Sequence, residues 1–171
     1  MHAAAQTAPD VTDAIERLRS AINAVVQGKE TVVDLALVAV LAGGHLLLED
    51  VPGVGKTTLA SSLASALGGT FSRVQFTSDL LPGDVTGSPI LDRASGELVF
   101  RPGPIFANVV LADELNRTSP KTQSALFEAM EEGAVTVDGE TRELPQPFFV
   151  VATQNPFDAA GPFALPDSQL D

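Results

Sequence analysis

The chain has 171 residues, enough for one domain with a substantial core, and its 44% hydrophobic and 19% charged content is that of a globular protein rather than a disordered one. It has no cysteine, which excludes disulfides and thiolate metal sites, and its two histidines, His2 and His45, are too scattered for a histidine metal centre. A net charge of −12 argues against a duplex-tracking basic stripe.

Residues 1–9 are small and polar and read as a disordered terminus, with no basic-then-apolar leader. The longest apolar run, Val32 to Ala42, is interrupted by Asp34 and is too short to cross a membrane. A soluble cytoplasmic protein is expected. Asp10 or Thr12 is placed to cap a helix running to about Val25, with Ile15, Leu18, Ile22 and Val25 or Val26 on one face and Gly28 as its C-cap. A second helix over about 30–42 is apolar on most sides and is expected to be buried.

Leu46 to Glu49 reads as an apolar strand. It leads into Asp50-Val51-Pro52-Gly53-Val54-Gly55-Lys56-Thr57-Thr58, a Gly-rich turn opening a helix to about Leu67. The start of a helix exposes unpaired N–H groups whose partial positive charge attracts anions. Gly53 and Gly55 let the backbone bend tightly and approach a phosphate, Lys56 brings a full charge, and Thr57 brings a hydroxyl for Mg²⁺. This is P-loop chemistry, with Asp50 where the pattern G-x-x-x-x-G-K-[ST] has its first glycine.

Phe71 to Phe76 reads as a strand with Val74 and Phe76 on one face, followed by a loop over 80–84. The runs 88–91 and 97–100 flank a Gly-ended connection and read as a hairpin. Asn108 to Asp113 is a continuous apolar run that suits a strand buried on both faces of a parallel sheet. It ends in Asp113-Glu114. Ligands bind at the carboxyl ends of such strands, which places Asp113 to hold Mg²⁺ through water and Glu114 to polarise an attacking water. Ser119 caps the next helix, with Pro120 in its first turn, Ala125, Leu126, Ala129 and Met130 on its buried side, and Gly133 at its end. Val135–Val137 and Thr141–Leu144 flank Asp138-Gly139-Glu140 as a second hairpin. Phe148 to Ala152 is another buried strand, and Asn155 beyond it is placed to hydrogen-bond a γ-phosphate or its water.

The blocks at 25–28, 49–57, 113–117, 121–132 and 152–156 together resemble the MoxR family of AAA+ ATPases. The resemblance implies an α/β P-loop core with a parallel sheet, two hairpin insertions and a C-terminal helical lid. It implies a Walker A motif at Gly53, Val54, Gly55, Lys56, Thr57 and Thr58, a Walker B motif at Asp113 and Glu114, and sensor 1 at Asn155. Val26, Gln27 and Gly28 would then lie near adenine, and Arg117 at a subunit boundary. By the same resemblance the cofactors are ATP and Mg²⁺. The partners are further copies in a ring, usually a hexamer, a von Willebrand factor A domain protein and a client protein, with no nucleic acid and no membrane insertion. The family pattern continues past Asp171 with an Arg-Phe pair and the lid. Residues 10–171 are therefore expected to be a core incomplete at its C-terminal end, one that keeps nucleotide affinity but turns ATP over weakly. A nucleic-acid motor of the same broad fold, a magnesium-chelatase-type subunit and a non-catalytic nucleotide-gated module stay open as alternatives.

Overall fold

The computed structural model describes residues 10–49 and 55–154. Four strands form an all-parallel sheet: β1 (Leu46–Glu49), β2 (Phe71–Gln75), β5 (Val109–Asp113) and β8 (Phe149–Gln154), in the order β1-β8-β5-β2. β8 thus lies between the strand that leads into the Gly-rich turn and the strand that ends in Asp113. Helices α1 (Val11–Asn23), α2 (Glu30–Leu41) and α3 (Lys56–Ala66) lie on one face. Helices α4 (Pro82–Thr86) and α5 (Pro120–Glu132) lie on the other.

The alternation of side chains along each strand feeds two cores. Val109, Leu111, Phe149 and Val151 pack with Ile22, Val33, Leu59 and Leu63. Val110, Ala112, Val150 and Ala152 pack with Val85, Leu115, Leu126 and Ala129. This explains why β5 and β8 read as unbroken apolar runs: both faces are buried.

Two hairpins stand outside the sheet. The first pairs β3 (Gly87–Leu91) with β4 (Leu98–Pro102), so its second arm starts one residue later than the pattern implies and extends through Pro102. The second pairs β6 (Ala134–Val137) with β7 (Glu140–Glu143). Its turn residues Asp138 and Gly139 both have positive φ, 54° and 79°, as an Asp-Gly hairpin turn requires. The hairpins meet where the Arg142 guanidinium stacks 4.0 Å from the Phe100 ring centroid.

Three expectations need correction. Gly28 is not the cap of α1. That helix ends at Asn23 with Ala24 as its cap, and Val26 turns into the core while Val25 stays exposed. Gly28, at φ 71°, then reverses the chain into α2. Helix α2 is not buried all round. Val33, Ala36 and Leu37 face the core, but Leu35, Val38 and Leu41 are each more than half exposed, because the helix lies in the outer layer. The segment read as a loop at 80–84 contains the start of α4. Pro82 occupies the first helical position, where its missing N–H costs nothing, and the Asp84 carboxylate accepts from the Leu81 N–H at 2.9 Å.

His45 joins two layers. The Val150 N–H donates to its Nδ1 at 3.1 Å, and its Nε2–H donates to the Met130 carbonyl at 3.1 Å. Burial lowers its pKa below 6.5, against the pull of the Met130 carbonyl. The unfolded chain therefore takes up a proton that the folded one resists, so stability falls as pH drops below 6.5. His45→Ala leaves the Val150 N–H unpaired and is expected to cost about 1–3 kcal/mol at neutral pH. It should also remove most of the stability difference between about pH 7.5 and about pH 5.5 in urea unfolding. An unchanged pH dependence in the variant would refute this assignment.

Candidate functional site

The carboxyl ends of β1, β8 and β5 converge beside the start of α3. Gly55 precedes α3 in a left-handed conformation, φ 86° and ψ 19°, which glycine adopts without strain. Lys56, Thr57 and Thr58 form the first helical turn, with Thr57 and Thr58 exposed. Gly53, Val54 and Asn155 lie outside the described residues, as do Asp50 and the stretch 1–9.

A cleft of about 170 Å³ opens at this point, lined by Gly55 and Lys56 together with Val26, Lys29, Val32, Leu48, Glu49 and Leu59. The turn after α1 and the start of α3 thus share one space. Of the residues expected near adenine, Val26 lines it. Gln27 and Gly28 are exposed and do not. Lys29 also lines the cleft, a residue that reads in the sequence only as part of the break after the first helix, because a lysine after a glycine carries no distinguishing pattern.

Asp113 ends β5 with each carboxylate oxygen engaged. The Thr153 hydroxyl donates to Oδ1 at 2.7 Å, and Arg73 Nη2 donates to Oδ2 at 2.6 Å. Burial pushes this carboxyl up, but the Thr153 hydroxyl, the Arg73 guanidinium and the charge of Lys56 outweigh it and hold Asp113 below the usual aspartate range. Asp113 is therefore a carboxylate at neutral pH, within the electrostatic reach of Lys56.

Glu114 follows in a left-handed backbone conformation, φ 59° and ψ 46°. A non-glycine residue pays roughly 1–3 kcal/mol there, a strain that concentrates at functional sites. Three contacts hold it. Its N–H donates to the Thr153 hydroxyl at 2.9 Å. Its Oε2 accepts from Gln75 Nε2 at 2.7 Å and from Arg117 Nη1 at 2.8 Å. Arg117, placed by the resemblance at a subunit boundary, is paired here with Glu114 of its own chain. Gln154 Nε2 donates to Glu49 Oε1, tying the end of β8 to the end of β1.

Arg73, Gln75 and Thr153 were missed by motif reasoning. Arg73 and Gln75 sit two apart on β2, hence on one face, and the parallel register sets Gln75 opposite Asp113. Only that register, between residues some forty positions apart in the chain, brings them to the acids.

The donor set suits a hard divalent cation carried by a phosphate. It offers a hydroxyl at Thr57 and an ionised carboxylate at Asp113, both oxygen donors, with a lysine and a helix N-terminus for the anion.

This arrangement defines the α/β core of an ATPase of the P-loop type. Residues 45–171 match the family described as ATPases associated with various cellular activities (AAA). The chain is 61% identical over 150 residues to the uncharacterized protein YeaC of Bacillus subtilis, spanning 88% of this chain and 47% of the relative. It is 45% identical over 157 residues to the chaperone MoxR1 of Mycobacterium tuberculosis, spanning 92% of this chain and 42% of the relative. The fold superposes on the 2.00 Å crystal structure of a candidate ATPase from Cytophaga hutchinsonii with a TM-score of 0.82 at 41% identity, covering 92% of this chain and 48% of the other. The chain belongs to the AAA ATPases, within their MoxR family. It spans about half the length of the curated relatives it matches.

Proposed function

We propose that the chain binds ATP with Mg²⁺ in the cleft between the turn after α1 and the start of α3, and hydrolyses it. The observation that carries this reading is the cleft itself: Gly55 and Lys56 line it together with Val26 and Val32, and Asp113 lies within the field of Lys56. Gly53, Val54, Gly55, Lys56, Thr57 and Thr58 cradle the phosphates in this reading, and Val26, Gln27 and Gly28 lie toward the base. Thr57 and Asp113 hold Mg²⁺, which when bound withdraws charge from the β- and γ-phosphates. Glu114 orients and deprotonates the attacking water, and Asn155 contacts the γ-phosphate or that water.

In the same reading the chain works in the cytoplasm as part of an oligomeric assembly, a hexameric ring. It couples hydrolysis to remodelling a client protein or inserting its cofactor, alongside a von Willebrand factor A domain partner. The name of MoxR1, a chaperone, supports the remodelling role by analogy. The second hairpin exposes Asp138 and Glu140 at its tip, and Arg142 is engaged by Phe100 and the Glu140 carboxylate, so this hairpin offers no cationic track for a nucleic-acid backbone. No helix among the described residues is long and apolar enough to cross a membrane.

Phosphate release from ATP tests the proposal. Release that requires both Mg²⁺ and Glu114 supports it, and release independent of either overturns it.

A further inference from the structure

We infer that Arg73 is a positioning residue for Asp113: its guanidinium holds Oδ2 in the nucleotide-free chain and gives that oxygen up to the Mg²⁺–nucleotide complex, so that Arg73 sets how strongly nucleotide binding depends on Mg²⁺. This rests on the nucleotide reading above. Among the described residues, the two oxygens of Asp113 accept from Thr153 and from Arg73. Thr153 takes Oδ1 and is itself fixed by the Glu114 N–H, so Oδ1 is committed to the strand framework. Oδ2 accepts from Arg73, on a neighbouring strand, at 2.6 Å.

A metal whose water shell donates to this carboxylate competes with the guanidinium for the same oxygen. Two cations drawn to one oxygen repel, so each weakens the other's hold on it. Arg73 is the one able to move. Its side chain is 49% exposed and sits on β2 at the edge of the sheet, and ion pairs this open to solvent hold weakly. Its other contact, to Gln75 Oε1 at 3.4 Å, is long.

The pair has a consequence in the absence of metal. A bare Asp113 faces the incoming phosphates as a like charge. Arg73 neutralises it, so the chain tolerates nucleotide before metal arrives. Removing Arg73 exposes that repulsion without metal and removes a competitor when metal is present.

The test measures the affinity of the full chain for a fluorescent N-methylanthraniloyl ATP, in EDTA and across a Mg²⁺ titration. In Arg73→Gln, affinity in EDTA is expected to fall about tenfold, while affinity at saturating Mg²⁺ stays within about twofold of the wild type. The Mg²⁺ concentration at half-effect should fall as well. Arg73→Lys, which keeps the charge, should restore most of the affinity in EDTA. In an Asp113→Asn background, Arg73→Gln should no longer change the ratio of the two affinities. Equal loss with and without Mg²⁺, or no change in the ratio, in variants whose circular dichroism matches the wild type, would overturn the role of Arg73. Saturable binding by the wild type in that case leaves the nucleotide reading intact. A folded wild-type chain that takes up no probe at any Mg²⁺ concentration overturns the nucleotide reading and the role of Arg73 with it.

Discussion

Glu114→Gln is expected to lower single-turnover phosphate release by about 10²–10⁴-fold, the usual contribution of a positioned general base. ATP affinity should stay within about threefold of the wild type, because the substitution removes an interaction used only in the reaction step. Glutamine keeps the size of the side chain and can still meet Gln75 across the 2.7 Å contact, so the local fold should survive. It cannot accept a proton from water. The left-handed backbone at Glu114 and its anchoring to Thr153 fix where this carboxylate starts, and both belong to the main chain rather than to the carboxylate. A variant that binds nucleotide normally and releases phosphate within about threefold of wild type would place the base elsewhere.

Gly103→Ala should be among the most destabilising single substitutions in the chain, at about 3–5 kcal/mol. A Cβ at this position would lie 2.2 Å from the Val85 carbonyl oxygen and 2.5 Å from the Gly87 nitrogen, both main-chain atoms. Neither can yield as a side chain would. Val85 and Ile105, on either side of this junction, are fully buried, so a shift there is transmitted into the core beneath α4 and β4. Against a total stability of roughly 5–15 kcal/mol, the loss would remove a large share of the margin that keeps the chain folded. Gly96→Ala is the control. It has positive φ, 74°, but nothing lies within 4 Å of the added carbon, so it should cost only about 1–2 kcal/mol. Urea unfolding of the two variants checks the contrast. Equal and small costs would mean that the backbones at 85–87 and 103 are not in close contact.

The residues that announced themselves in the sequence are those whose role is local. Ser119 caps α5 because its hydroxyl accepts from the Thr122 N–H four residues into the pattern Ser-Pro-x-Thr. Asp138-Gly139 makes a hairpin turn because those two residues adopt positive φ readily. β5 and β8 declared their burial by unbroken hydrophobicity, and Asp113 and Glu114 stood out as charges ending such a run. What stayed hidden depends on register and on neighbours. Arg73 and Gln75 look like ordinary polar residues of an alternating strand until β2 pairs with β5. Thr153 is one hydroxyl at the end of β8, and its importance comes from lying between β1 and β5 in space but after both in the chain. The exposure of Leu35, Val38 and Leu41 was equally out of reach, since periodicity shows that a helix face is apolar but not whether anything covers it.

The most direct test of the account is a calorimetric titration of the chain with a non-hydrolysable ATP analogue in Mg²⁺, beside Lys56→Ala. Saturable one-to-one binding that Lys56→Ala weakens by about a hundredfold or more is predicted, since the substitution removes a full charge from the phosphate cradle. Binding of equal strength in the two proteins, or no binding to a demonstrably folded wild-type chain, would contradict the assignment of the cleft at Lys56 as a nucleotide site.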